Sequence, residues 1–100
     1  MSDIDFKYGE DDIIDELYKY ISATYNEHYM GNNDVQAVDV WEANGSLSTT
    51  AKDNSIKYLM RYGKKKGKNR LDILKTMHYC VLMLYADRDV ERSILGDANE

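Results

Sequence analysis

A row of polar side chains with helical spacing occupies the middle of the chain. Asn54, Lys57, Tyr58 and Arg61 stand at positions i, i+3, i+4 and i+7, so a helix places all four on one face. An arginine fork and a lysine ammonium group bind phosphate oxygens, a phenol ring stacks on a base, and an amide contacts a base edge or a sugar hydroxyl. These side-chain types predict a site for a nucleotide or another phosphate-bearing ligand.

A second polar row lies further along the chain, where Asp72, Lys75 and Tyr79 stand at i, i+3 and i+7. If the two helices fold back on each other, both rows face one groove, with a lysine-rich loop at its end. The alternative is that the rows and the loop face water, as polar helical faces commonly do. The predicted ligand contacts in this segment are Asn54, Lys57, Tyr58, Arg61, Lys64, Lys65, Lys66, Lys75 and Tyr79.

Charge is divided sharply along the chain, which carries a net charge of −5. Between Lys52 and Lys75, nine cationic residues oppose two acidic ones, a net charge of +7 that leaves −12 for the remainder. An acidic body repels long nucleic acid, whereas the basic segment attracts a compact anion. The expected partner is therefore a small phosphate-bearing molecule rather than DNA or RNA.

Apolar residues recur with helical spacing in four segments, and no segment shows the two-residue alternation of a strand. Turn residues and helix-capping residues separate these segments. The predicted elements are a first helix from Glu10 to about Tyr25, a second from a cap at Asp34 to about Asn44, a third from a cap at Ser48 or Thr50 to Gly63, and a fourth from Asn69 that continues to about Leu95.

The predicted fold is all-α, a small three- to four-helix domain with a C-terminal antiparallel helical hairpin. Residues 1–9 and 96–100 are expected to be flexible tails on one helical domain spanning residues 10–95. The buried side of the third helix is predicted to be Ile56, Leu59 and Met60. The apolar stripe of the fourth helix is predicted to be Leu71, Leu74, Met77, His78, Val81, Leu84 and Tyr85.

Composition indicates the setting in which the protein works. Cys80 is the single cysteine, which is typical of a reducing compartment. No apolar run approaches the roughly 20 residues of a membrane span, and the acidic N-terminus is unlike a signal peptide. Tyrosine supplies nine of the eleven aromatic residues, and its ring with a polar hydroxyl suits semi-exposed contact surfaces. We expect a cytoplasmic homo-oligomer, a dimer or higher, because association supplies core area that 100 residues lack.

The sequence gives weaker support to two other kinds of phosphate-binding site. A P-loop needs four residues between its glycines, but three separate Gly63 from Gly67, and no strand precedes them. Carboxylates cluster in the first helix, as they do in helical enzymes that bind Mg²⁺ through oxygen ligands. A magnesium-dependent nucleotide pyrophosphohydrolase is therefore a lesser alternative, since acidic residues in a first helical turn ordinarily serve the helix dipole. The clustered carboxylates are Asp11, Asp12, Asp15 and Glu16, with Asp39 and Glu42 in the second helix.

The two histidines suit different roles. Together with Cys80 they lack the number and spacing of zinc ligands, so no metal site is predicted. His78 lies within the apolar stripe of the fourth helix, which favours a core position. His28, followed by Tyr29, is a candidate for ligand contact or proton transfer.

Four short motifs occur in order along residues 26–86. They are the pair His28-Tyr29, the segment 35–45, the string Asn54-x-x-Lys57-Tyr58-x-x-Arg61-x-x-x-Lys65 and the string Asp72-x-x-Lys75-x-x-x-Tyr79. With these motifs the chain resembles the SaV-like family of small phage proteins, which includes phage nucleotide kinases. The chain has Asp53 where that family has glycine and Thr76 where it has alanine.

The resemblance implies a phage-type nucleotide-binding protein of the host-cell cytoplasm. As an enzyme it would be a nucleoside monophosphate kinase, with ATP as the second substrate and no other cofactor required. The candidate catalytic residues are then His28, Arg61 and Asp72, and Tyr29 joins the ligand contacts. Two alternatives belong to other classes: a protein that sequesters a host nucleotide signal or cofactor as an anti-defence device, and an effector that binds a host protein.

Overall fold

A computed structural model of the chain describes residues 3–25 and 36–90, and all regular secondary structure within these ranges is helical, without strands. The all-α prediction is confirmed for this part of the chain. By its internal contacts the chain divides into two units, Met1–Asp34 and Val35–Glu100. One helical domain over residues 10–95 stays a prediction. The helices are α1 (Glu10–Thr24), α2 (Ala37–Ala43), α3 (Leu47–Arg61) and α4 (Arg70–Ala86).

The first unit is built around α1, whose predicted span is confirmed. Glu10, Asp11 and Asp12 lie in the first turn, where negative charge interacts favourably with the positive end of the helix dipole. No residue of α1 is buried, and the apolar side chains of Ile14 and Tyr18 are exposed. The amphipathic stripe predicted from the sequence is therefore present, with much of its apolar surface accessible.

The short helix α2 opens the described part of the second unit. It begins at Ala37, and the backbone N–H of Gln36 donates to Asp39 Oδ2 over 3.1 Å. The predicted cap at Asp34 lies outside the described residues. The predicted end is confirmed, because Gly45 follows Asn44 with φ of 74°, a conformation that glycine adopts without steric cost.

The start of α3 differs from the prediction. Ser46 is the residue before the helix, and its carbonyl accepts the N–H of Thr50 over 2.9 Å. The predicted cap at Ser48 is wrong, since the Ser48 hydroxyl instead donates to Asp87 Oδ2 over 2.7 Å. A cap at Thr50 is equally wrong, because that residue lies in the first turn. The predicted end at Gly63 is confirmed by its φ of 87°, just beyond the last helical residue.

Helices α3 and α4 pack against each other through small and polar side chains. Ala51 is 0% exposed, and Thr76 Oγ1 of α4 donates to the carbonyl of Ser55 over 3.4 Å. Small side chains one turn apart let two helix backbones approach closely. The buried residues of the pair are Leu47, Ala51 and Ser55 in α3 with Asp72 and Thr76 in α4.

The predicted buried side of α3 is wrong. Ile56, Leu59 and Met60 are 46%, 52% and 63% exposed, and we call these three residues the apolar stripe. Ile56 and Met60 lie on another face of the helix than Ala51 and Ser55, which are buried, whereas Leu59 stands one turn after Ser55 and is nevertheless exposed. The same correction holds for α4, since Leu71, Val81, Leu84 and Tyr85 of its predicted stripe are also exposed.

The ends of α4 show one agreement and one correction. Asn69 is the predicted N-cap, and its side chain accepts the backbone N–H of Leu71 over 3.0 Å. The helix ends at Ala86, residues 88–90 are again helical after Asp87, and the rest of the predicted continuation to Leu95 lies outside the described residues. Within residues 3–25 and 36–90, no helix is long and apolar enough to cross a membrane.

Candidate functional site

Three cationic side chains converge on one aromatic ring in the α3–α4 pair. The centroid of the Tyr58 ring lies 4.7 Å from Lys57 Nζ, 5.0 Å from Lys75 Nζ and 5.6 Å from the guanidinium carbon of Arg61. A cation over an aromatic face is attracted by the ring quadrupole, with about 0.5–1 kcal/mol at exposed sites. Two cations come from α3 and one from α4, so packing of the helices assembles the group. We call Lys57, Arg61, Lys75 and Tyr58 the cationic cluster.

A second tyrosine from α4 extends the aromatic surface beside these cations. The rings of Tyr58 and Tyr79 have centroids 6.1 Å apart and planes inclined by 13°, a stacked arrangement. Both tyrosines are half-buried. The two polar rows of the sequence, one on each helix, therefore meet in space through their aromatic members.

A buried carboxylate lies beside the cationic cluster. Asp72 is 3% exposed, and its Oδ1 atom is 4.0 Å from Arg61 Nε. That distance is beyond hydrogen-bond length, so the pair interacts through charge alone. The other oxygen, Oδ2, is buried without a hydrogen-bond partner. Asp72 thus supplies one negative charge under Arg61, which itself is one-third exposed.

The position of Asp72 follows from the start of α4. Its backbone N–H donates to the carbonyl of Asn69 over 3.0 Å, and its own carbonyl accepts the hydroxyl of Thr76 over 2.9 Å. Asp72 and Thr76 are one helical turn apart, so both point toward α3. The sequence placed Asp72 in the polar row facing a groove and missed its burial. Its spacing of four from Thr76 was the available signal.

The remaining predicted site residues are not among the cations over the Tyr58 ring, or they lie outside the described residues. The Asn54 amide donates to the carbonyl of Thr50 in its own helix over 2.9 Å. The loop lysines are exposed, and none is among the cations over the Tyr58 ring in the described part of the chain. Catalytic candidate His28 and ligand candidate Tyr29 lie outside the described residues. The loop lysines are Lys64, Lys65 and Lys66.

The loop between the helices has a defined backbone. The N–H of Gly63 donates to the carbonyl of Gly67 over 2.8 Å, which closes the turn. Lys66 has φ of 61°, a left-handed conformation that a residue with a Cβ adopts at a cost of about 1 kcal/mol. The loop therefore holds several ammonium groups at the end of the α3–α4 pair, where they add to the positive potential near Arg61.

Two cavities lie at the opposite end of the pair. One, of about 140 Å³, is lined by residues of the α2–α3 turn and of the α4 terminus, including Glu42, Ser48 and Asp87. The other, of about 310 Å³, is lined by Cys80, Met83, Leu84 and Asp87. Neither includes a residue of the cationic cluster, so the cluster is not part of these two cavities.

His78 is half-buried on α4, which is less enclosed than its predicted core position. Burial lowers the pKa of the His78 imidazole below its ordinary value of 6.5, because desolvation disfavours the charged form. At neutral pH this side chain is therefore uncharged. In residues 3–25 and 36–90, no group of three or more His, Cys, Asp or Glu side chains is placed to hold a metal ion.

The fold and the site define an all-helical protein in which two packed helices gather cations around a tyrosine. The chain belongs to the family described as "protein of unknown function (DUF3310)", whose model matches residues 23–81. The matched segment includes α2, α3, the lysine loop and the part of α4 that carries Lys75 and Tyr79. No curated protein and no solved structure matches the chain.

Proposed function

We propose that this protein binds a phosphate-bearing nucleotide, or a nucleotide-like small molecule, at the cationic cluster. One observation carries the proposal: Lys57, Arg61 and Lys75, from two different helices, all lie within 5.6 Å of the centroid of the Tyr58 ring. Like charges repel, so their gathering in one place costs free energy unless the ring and an anion compensate. A bound phosphate is the anion that suits this set of donors.

The site depends on how the two helices run, and we infer that α3, the lysine loop and α4 form an antiparallel hairpin. Contacts between them pair early residues of one helix with late residues of the other. The Ser48 hydroxyl donates a hydrogen bond to Asp87, and the Ser55 carbonyl accepts one from Thr76. Arg61 lies 4.0 Å from Asp72. In this arrangement the polar row of α3 and that of α4 share one side of the hairpin.

Within the proposed complex each group has a distinct task. Arg61 presents a planar fork to phosphate oxygens, while Lys57 and Lys75 supply point charges. The Tyr58 ring holds the three cations together, and Tyr79, stacked on it, extends the aromatic surface beside them. Asp72 holds a counter-charge under Arg61 in the absence of ligand.

Binding without chemistry is the version of this function that the geometry supports best. The cluster has charge for one phosphate group, whereas a kinase must hold a second nucleotide as well. Such a protein would sequester a host nucleotide signal or cofactor in the host-cell cytoplasm. The resemblance to SaV-like phage proteins favours the other version, a nucleoside monophosphate kinase with ATP as co-substrate and His28, Arg61 or Asp72 in catalysis.

Isothermal titration of the purified protein with nucleoside mono-, di- and triphosphates tests the proposal. We expect Lys57→Ala to weaken binding about tenfold, because one charge-assisted contact contributes roughly 1.5 kcal/mol. The matched control is Lys52→Ala, which changes another exposed lysine of α3 that is not among the cations over the Tyr58 ring, and this variant should bind like the wild type. Equal binding by both variants, or no nucleotide binding at all, would contradict the proposal.

A turnover assay separates the two versions. The protein is mixed with ATP and each nucleoside monophosphate, and the nucleoside diphosphate product is measured. Product formation that Lys57→Ala reduces supports the kinase. Stoichiometric retention of nucleotide without product supports sequestration.

We further propose that two copies of the chain associate through the apolar stripe of α3. Ile56, Leu59 and Met60 are exposed, and Leu47 is the one large apolar side chain buried among the described residues. Two helices that pack through alanine, serine and threonine leave their apolar surface uncovered, and a symmetric partner covers it.

Sedimentation equilibrium should show a dimer or a higher oligomer that Leu59→Lys dissociates. A monomeric wild type would contradict this, and an effector of host proteins would then be the better explanation of the stripe.

A further inference from the structure

The charge and geometry of the cationic cluster point to one class of phosphate. We infer that the cluster selects a terminal phosphate, the dianion of a phosphomonoester, over the monoanion of a phosphodiester. The inference rests on the proposed function and specifies the ligand group that the site takes.

The cationic cluster and Asp72 together carry a net charge of +2. Lys57, Arg61 and Lys75 contribute three positive charges around the Tyr58 ring. Asp72 lies 4.0 Å from Arg61 and is 4% exposed at its side chain, so water screens its charge poorly. Its carboxylate cancels about one of the three positive charges at close range.

A phosphomonoester matches this charge and this number of donor groups. It carries a charge of about −1.5 to −2 at neutral pH and has three acceptor oxygens. Three cationic groups can thus each take one oxygen, and the charges come close to cancelling. A phosphodiester has a single negative charge, as each phosphate of nucleic acid does, and only two free oxygens. It would leave one cation without a partner and the site with a residual positive charge.

Burial of Asp72 keeps this balance from being lost. A fully exposed carboxylate would turn toward other cations or be screened, whereas the Asp72 side chain is buried, and hydrogen bonds with Asn69 and Thr76 hold its backbone in the first turn of α4. The predicted ligand class is therefore a small molecule with a terminal phosphate, such as a nucleoside 5′-monophosphate. Cyclic nucleotides and the nucleic acid backbone are disfavoured.

Titration with matched pairs of ligands tests the inference. For each of the four common bases, the dissociation constant is measured for the nucleoside 5′-monophosphate and for the 3′,5′-cyclic monophosphate, at pH 7.5 and pH 5.0. We expect the monoester to bind at least tenfold more tightly at pH 7.5. Most of this preference should disappear at pH 5.0, because the second pKa of the phosphate is about 6.

The cyclic ligand serves as the internal control, since its charge does not change between the two pH values. Lys75→Ala should bring the two affinities closer together, while Lys52→Ala should leave their ratio unchanged. Inorganic phosphate and ribose 5-phosphate show how much of the affinity the phosphate alone supplies.

The outcomes separate this inference from the proposed function. Equal affinity for both ligand types, with binding still weakened by Lys57→Ala, would overturn the selectivity and leave nucleotide binding in place. A preference for the monoester that persists unchanged at pH 5.0 would also overturn it. Absence of binding by every phosphate compound would remove the proposed function itself.

Discussion

Replacing Ala51 by leucine is expected to lower the free energy of unfolding by about 1–3 kcal/mol and to weaken ligand binding at the cationic cluster. Ala51 is 0% exposed, and one turn later Ser55 accepts the Thr76 hydroxyl through its carbonyl. A leucine at this position needs space that the close approach of α3 and α4 does not leave. The helices must move apart, and Lys75 of α4 then moves away from the Tyr58 ring of α3.

Urea unfolding and nucleotide titration of the same variant check both parts of this prediction. The matched control is Ala43→Leu, the same change at an exposed position of α2 in the same unit, and its unfolding midpoint should stay close to that of the wild type. A variant with reduced stability but unchanged affinity would show that the cluster does not depend on the spacing of the helices. Unchanged stability would show that the contact at Ala51 is loose.

Helical periodicity was sufficient to predict which residues share a face. A helix with 3.6 residues per turn brings Lys57, Tyr58 and Arg61 toward one side. The structure places Lys57 and Arg61 of α3 beside the Tyr58 ring. The start of α4 was predictable for a similarly local reason, since the Asn69 side chain caps the N–H of a residue two positions later. Local interactions of this kind are encoded by neighbouring residues.

Which face of α3 is buried could not be predicted in the same way. The prediction chose Ile56, Leu59 and Met60 because they are large and apolar, yet the helix packs through Ala51 and Ser55. The apolar area of a side chain determines how much free energy its burial contributes. Close approach of two helix backbones depends instead on small side chains on both helices. That condition is a property of the pair, and single-helix hydrophobicity contains no information about it.

Burial of Asp72 is a second feature that depends on two segments at once. A carboxylate is ordinarily expected at the surface, because desolvating its charge is costly. Here Arg61, eleven residues earlier in the sequence, lies 4.0 Å away and offsets part of that cost. The position of the α3 start is a smaller case, since Ser48 bonds to Asp87 rather than capping its own helix. Such long-range partners are visible only once the helices have packed.

Replacing Tyr58 by leucine is expected to weaken nucleotide binding about tenfold, while Tyr58→Phe should bind like the wild type. Three cations lie within 5.6 Å of the ring centroid, and the attraction comes from the ring face rather than from the hydroxyl. Phenylalanine keeps that face, whereas leucine removes it and lets the like charges of Lys57, Arg61 and Lys75 move apart. A tenfold loss corresponds to about 1.4 kcal/mol, which is within the sum expected for two or three such contacts at an exposed site.

The choice of ligand in this experiment separates two roles for the Tyr58 ring. If the ring stacks on the base, Tyr58→Leu weakens the nucleotide but leaves the affinity for ribose 5-phosphate unchanged. If the ring holds the cations in place, both ligands lose affinity to a similar extent, and we expect this second result because the surroundings of the ring are occupied by the three cations and Tyr79. Unfolding curves for both variants serve as the control for stability. Full binding of both ligands by the leucine variant would exclude either role, and with it the arrangement of charge on which the phosphate site depends.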